Sequence, residues 1–190
     1  LIFLIKYMKI LAISDPHGDL KKIKQISIKG IDLILLTGDL GSANLMREMF
    51  FENIKRQKQG LPKLNILLRK EAFIEAYDST IKLVKYLSKF ALVYTIFGNV
   101  ESSNSDTREQ ARDIGLKLPF LFNYLKKMHN VRVINNIVAN FNGVRIGGLK
   151  YFTDVSWVNE FKPSEFKDVL SGAKRESRKV KRILTRFGHL

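Results

Sequence analysis

Three apolar runs, each breaking off at a polar turn, constrain what this chain can fold into more than any other feature. Ile10, Leu11 and Ile13 lead into Ser14-Asp15-Pro16-His17-Gly18-Asp19. Ile31 to Leu36 leads into Gly38-Asp39, and Ala91 to Phe97 leads into Gly98-Asn99. Short runs rich in β-branched residues and bounded by turn residues read as strands. The first is continuously apolar from Ile10 to Ile13 rather than alternating, as expected of a parallel strand covered on both faces. Open parallel sheets bind ligands outside the carboxyl ends of their strands. Three such strands would deliver Asp15, His17, Asp39 and Asn99 to one rim. Two carboxylates, an imidazole and an amide carbonyl form a mixed oxygen and nitrogen set that suits Mn, Fe or Zn. The glycines beside Asp39 and Asn99 permit sharp exits and close backbone approach. The same residues admit a plainer reading, with Asp15 and Asp39 as helix N-caps and His17 as a surface histidine.

The remaining elements follow in order. Asp19 is a candidate N-cap for a helix over Leu20 to Lys29, with Ile23 and Ile26 inward and Gly30 at its end; support of a metal ligand is the other role open to Asp19. A second strand spans Leu33 to Thr37. Residues 41–90 are longer than a crossover needs and read as a helical insertion. In it, Leu45, Met46, Met49 and Phe50 have helical spacing, and Gly60-Leu61-Pro62 breaks the chain. Phe73, Tyr77, Ile81, Val84 and Leu87 then share a second helical face, read as core. Leu92 to Phe97 is the third strand. Asp106 with Glu109 resembles a capping box, Pro119 interrupts the helical region that follows, and Leu121, Leu125 and Met128 mark its inward face. Val131 to Ile134 is a fourth strand. Ile137 to Asn140 and Val144 to Gly148 form a hairpin through Asn142-Gly143, a type I′ signal. Pro163 to Leu190 reads as two helices separated at Gly172. Val180, Ile183, Leu184 and Phe187 form an apolar stripe on the second, ringed by Lys174, Arg175, Arg178, Lys179, Lys181, Arg182 and Arg186.

Asp15-x-His17, Gly38-Asp39 and Gly98-Asn99, each after a strand and in this order, resemble the first three motifs of the calcineurin-like metallophosphoesterases. The resemblance covers roughly residues 8 to 150. It implies an α/β fold of partial four-layer αββα type, with a mostly parallel first sheet and the start of a second near Gly147-Gly148-Leu149. It also implies a divalent-metal-dependent phosphoesterase that cleaves phosphomonoesters or phosphodiesters with a metal-activated hydroxide. In that family two metals lie side by side. By resemblance, Asp15 and His17 would hold the first, Asp39 would bridge, and Asn99 would hold the second, which makes Asp39 and Asn99 the residues closest to the chemistry. Val100 stands where many members carry a histidine that protonates the leaving group, so poor leaving groups are less suitable substrates. Glu101 occupies the usual acidic position after it, either supporting the site or simply solvated. The family's later histidine motifs do not occur in these residues: His129 reads as a surface histidine, and Gly188-His189-Leu190 lacks a second histidine.

Composition narrows the partners. At 190 residues with 45% hydrophobic content the chain is one domain with a sizeable core. It contains no cysteine, which excludes disulfides and thiolate metal sites and is compatible with the cytoplasm, the expected location. No apolar run approaches membrane-spanning length. Leu1 to Tyr7 is too short for a signal peptide and lacks a cleavage site. Residues 1–7 read as an upstream or non-native extension, with Met8 near the natural start. Residues 8–190 read as one domain truncated at its C-terminus, with an incomplete metal site. A net charge of +15 attracts phosphate-rich polymers, so nucleic acid is a candidate partner beside a phosphate ester substrate. A non-catalytic phosphate- or nucleic-acid-binding protein on the same fold is the alternative reading.

Overall fold

The computed structural model describes residues 7–101, 115, 120–161 and 167–188, apart from positions 63, 65 and 154. It divides into two compact units, Leu1–Val133 and Ile134–Leu190. Leu1 to Lys6, Asp106, Glu109, Pro119, Pro163 and His189 lie outside the described residues.

The first unit is a parallel sheet with helices between its strands. Its strands are β1 (Ile10–Ile13), β2 (Leu33–Leu36), β3 (Leu92–Thr95) and β4 (Val131–Val133), adjacent in that order. Their register aligns Ile13 with Leu36, Leu36 with Thr95, and Thr95 with Val133. The carboxyl ends of all four strands therefore finish in one row. Leu33, Ile34, Leu36, Val93, Tyr94 and Thr95 are buried, so β2 and β3 are covered on both faces as continuous apolar runs require. β1 departs from that expectation. It is the edge of the described sheet, with Ile10 39% exposed and Ala12 exposed.

Between the strands lie α1 (Leu20–Ile23), α2 (Asn44–Lys58), α3 (Ile66–Leu87) and α4 (Leu121–Lys126). Asp19 caps α1, accepting from the Lys22 N–H at 3.0 Å. That bond and its ion pair with Lys22 hold its carboxyl below the usual aspartate value. The helix stops at Ile23, not Lys29 as the sequence suggests. Beyond it the backbone tightens: the Gln25 N–H donates to Lys22 O and the Ile26 N–H to Ile23 O. Ile23 and Ile28 take the inward positions, and Ile26 is left exposed. On α3, Tyr77, Val84 and Leu87 are buried, with Phe73 and Ile81 packed against the same core, so its apolar face is core as its spacing predicts. α2 carries no buried residue, and Phe50 and Phe51 are exposed. Leu121 and Leu125 of α4 are buried.

In the second unit, β5 (Ile137–Phe141) and β6 (Val144–Gly148) pair antiparallel through Asn142 and Gly143, both at positive φ (50° and 86°) as a type I′ turn demands. Helices α5 (Val155–Phe161) and α6 (Lys167–Phe187) follow and pack on each other. The periodicity of the tail does not single out α5. Gly172 lies inside α6 and does not separate two helices; a lone glycine costs a helix only about 1 kcal/mol, which burial of Ala173, Val180 and Ile183 on the same helix offsets. Among the described residues no helix is long and apolar enough to cross a membrane.

Candidate metal centre

The flush strand ends place three loops side by side. After β1 the chain turns at Asp15 and His17, both in the left-handed region (φ 47° and 44°), and after β2 it does so again at Asp39 (φ 47°). This conformation is costly for non-glycine residues, and such strain persists only where the surroundings over-determine it. Here the surroundings are backbone hydrogen bonds between the two loops. The His17 N–H donates to Asp39 O at 3.0 Å, and the Gly18 N–H to Leu40 O at 2.7 Å.

The outcome is a cluster. One ligand atom from each of Asp15, His17 and Asp39 lies within 4.8 Å of the other two. Asp15 and His17 are exposed and Asp39 is half-buried. Neither aspartate caps a helix: α1 is capped by Asp19 and α2 by Ala43. Asn99 joins them from the loop after β3. With its amide nitrogen toward Asp39, it donates to Oδ1 at 3.0 Å and Oδ2 at 2.8 Å. A half turn of the amide would present its oxygen at the same place, so Asn99 is within reach of the cluster as a further oxygen ligand. The Val100 N–H also donates to Asp39 Oδ1, at 3.1 Å. His129 is elsewhere, exposed, with Nδ1 2.8 Å from Asn130 Oδ1.

Two glycines make this proximity feasible. Gly38 has φ 100°, and a Cβ there would lie 2.7 Å from Gly98 N. A Cβ on Gly98 would run into Asp39 itself, 2.8 Å from its Cγ and closer still to Oδ1 and the backbone N. The loops after β2 and β3 thus meet backbone to backbone.

Glu101 ties the same loops together. Its side chain is buried, only 4% exposed. Oε1 accepts from the N–H groups of Leu40 at 2.7 Å and Gly41 at 3.2 Å, and Oε2 from Gly98 N–H at 2.9 Å. Burial raises its carboxyl above the usual glutamate value, the three N–H donors work against that rise, and the charge of Asp39 adds to it. Of the two roles its sequence position left open, solvation is therefore ruled out.

A further support comes from α3, which the sequence does not signal. The Ser42 N–H donates to Ser79 Oγ at 2.8 Å, and Ser42 Oγ to Glu75 Oε1 at 2.7 Å. Glu75 Oε2 accepts from Leu45 N–H at 3.1 Å, standing in for the side-chain cap that Ala43 does not supply to α2. Helical periodicity identifies which residues of α3 enter the core. It says nothing about polar residues on that helix reaching a loop about thirty positions away or more.

Chemically, two carboxylates and an imidazole converging on one small volume, with an amide beside them, fit a divalent cation of the Mn, Fe or Zn kind. Without a cation the two like charges would repel, and a positive guest offsets that repulsion.

The family model for calcineurin-like phosphoesterases matches residues 8–189 of the chain. No curated protein matches it. A solved crystal structure aligns with 14% sequence identity and a TM-score of 0.47, covering 81% of this chain. The chain spans 65% of the length of that structure.

Proposed function

The chain belongs to the calcineurin-like phosphoesterase family, and from that membership we propose that it is a divalent-metal-dependent phosphoesterase using Asp15, His17, Asp39 and Asn99 as its metal ligands. The observation that carries this reading is the convergence of Asp15, His17 and Asp39 within 4.8 Å, at the ends of adjacent parallel strands and on strained backbone. Asp15 and His17 would hold one ion, Asp39 would be shared, and Asn99 would serve a second through its side-chain oxygen. A bound divalent ion supplies acidity to water and draws charge from phosphoryl oxygens. The protein's own groups position and orient. Glu101 fixes the loops after β2 and β3, the Val100 N–H orients the Asp39 carboxylate, and Glu75 and Ser79 brace the segment after Asp39. Val100 offers no proton to a leaving group, so activated esters are the better substrates. A cytoplasmic location and manganese as the ion belong to the same proposal.

The test is hydrolysis of p-nitrophenyl phosphate and of bis-p-nitrophenyl phosphate with added Mn²⁺. Release of nitrophenolate should require the metal, stop on chelation and return on Mn²⁺ replenishment. Hydrolysis indifferent to chelation would contradict the proposal. Mn²⁺ binding without turnover of either ester would favour a non-catalytic phosphate-binding protein on the same fold.

Glu101→Gln should act through position rather than ligation. A glutamine oxygen can still serve Leu40 and Gly41, but its NH₂ then faces the Gly98 N–H donor. An orphaned buried donor costs about 1–3 kcal/mol, and groups that orient metal ligands are each worth about 10–100-fold in affinity or activity. Calorimetric titration should show Mn²⁺ affinity down by about tenfold with the folded circular-dichroism spectrum retained. Unchanged affinity would remove Glu101 from the site.

A further inference from the structure

The candidate metal centre leaves unused the most strongly charged element among the described residues, helix α6. From residue 171 to 188 the chain carries seven cations and a single acid, Glu176. At 3.6 residues per turn, Arg175, Arg178, Lys179, Arg182 and Arg186 fall within about a third of the helix circumference. All five are exposed. Ala173 and Val180, on the side facing away from them, and Ile183, on the flank, are buried. The cations therefore form one solvent-facing row about 16 Å long, repeating roughly every helical turn of 5.4 Å. Ion pairing offsets little of it. Lys179 Nζ is 4.0 Å from Glu176 Oε1, and the Arg178 Nε–H donates to Lys174 O at 3.3 Å, which leaves the rest of its guanidinium fork available.

We propose that this face of α6 is a docking surface for the phosphate backbone of nucleic acid. Four of the five groups are guanidinium, whose planar fork matches phosphate oxygens in pairs. Their regular spacing suits a polymer that repeats its charge, whereas a single small anion would engage one or two of them. A membrane surface fits less well. Helices that lie in bilayers present an apolar face to lipid, but Ala173, Val180 and Ile183 of α6 are already buried. Leu184, 46% exposed, lies on the side of the helix opposite the cationic row. The inference stands on α6 alone and does not depend on the phosphoesterase assignment.

Each phosphate neutralised releases counterions, and log K against log salt falls with a slope of about −0.9 per contact on duplex DNA. The experiment is fluorescence-anisotropy titration of the full chain with a labelled 20-base-pair duplex across a salt series. In one variant the five cations of the row are replaced by Gln, a comparable helix former. In a second, the exposed lysines Lys21, Lys29, Lys82, Lys85 and Lys89 are replaced by Gln, which removes the same net charge elsewhere. The row variant should flatten the slope by about four and weaken binding by a hundredfold or more at low salt. The lysine variant should change the slope by less than about one. Arg182→Gln with Arg186→Gln should flatten it by about two, and this pair serves if the fivefold variant misfolds. Equal losses in both fivefold variants would reduce the effect to bulk charge and overturn the proposal, as would failure of the wild-type chain to bind the duplex. Row-dependent binding to phosphatidylserine vesicles at least as tight as to the duplex would overturn it in favour of a membrane.

Discussion

Asp39→Asn is expected to lower Mn²⁺-dependent hydrolysis by more than about a hundredfold, since even groups that merely orient metal ligands are worth up to that much. The substitution keeps the shape of the side chain and exchanges one anionic oxygen for an NH₂ donor. In the wild-type chain that carboxylate accepts from the Val100 N–H and lies within 3.0 Å of the Asn99 amide. An asparagine presents an NH₂ where the carboxylate accepted from these groups, and it contributes no charge to the two ions that Asp39 is proposed to share. A stability measurement separates this from general damage. Asp15 and Asp39 are held close, so in chelator the repulsion relieved by losing one carboxylate offsets part of the cost of the misplaced NH₂, and Asp39→Asn should stay folded with no more than about 1–3 kcal/mol of stability lost. Added Mn²⁺ at a hundred times its Kd should stabilise the wild-type chain by about 2.7 kcal/mol through mass action and the variant by far less. Equal stabilisation of the two, or equal rates, would deny Asp39 the bridging role proposed for it.

Much of this centre was legible in the sequence because its construction is local. An apolar run followed by a polar turn announces a strand and its exit, and parallel pairing in register turns three exits into one rim. Asp15, His17, Asp39 and Asn99 are each within four residues of an aligned strand end, so strand placement accurate to a residue or two sufficed to bring them together. The type I′ hairpin at Asn142-Gly143 was legible for the same reason, since two residues carry the whole signal. What escaped depends on distant partners. Whether Glu101 is solvated or buried is decided by the amides of Leu40 and Gly41, some sixty positions earlier. Glu75 and Ser79 reach the loop after Asp39 from the polar edge of a helix whose periodicity reports only its core face. The helix after Asp19 ended early because burial was shared between Ile23 and Ile28, a spacing that a regular helical turn does not provide.

Gly30 and Gly98 are indispensable to very different degrees. Gly30 sits at φ 75° with nothing within 4 Å of where a Cβ would stand, whereas Gly98 has no such conformational demand and no space at all. Gly30→Ala should therefore cost only the left-handed backbone, about 1–2 kcal/mol, with Mn²⁺ affinity and hydrolysis unchanged. Gly98→Ala should cost little in backbone conformation and much in crowding. Its methyl would meet Asp39 Cγ at 2.8 Å and press harder on Oδ1 and the backbone N. Those atoms cannot swing aside as a flexible side-chain tip would. Asp39 is held by its left-handed backbone and by the Val100 N–H, and Gly98 by Glu101. Overpacking a tight site costs about 1–3 kcal/mol, and relief here can come only from parting the loops after β2 and β3. That separation draws Asp39 and Asn99 apart. Gly98→Ala should thus lower the unfolding temperature modestly while weakening Mn²⁺ binding and hydrolysis at least as severely as Glu101→Gln. Retention of wild-type Mn²⁺ affinity by Gly98→Ala would show that the two loops need not touch for the centre to form.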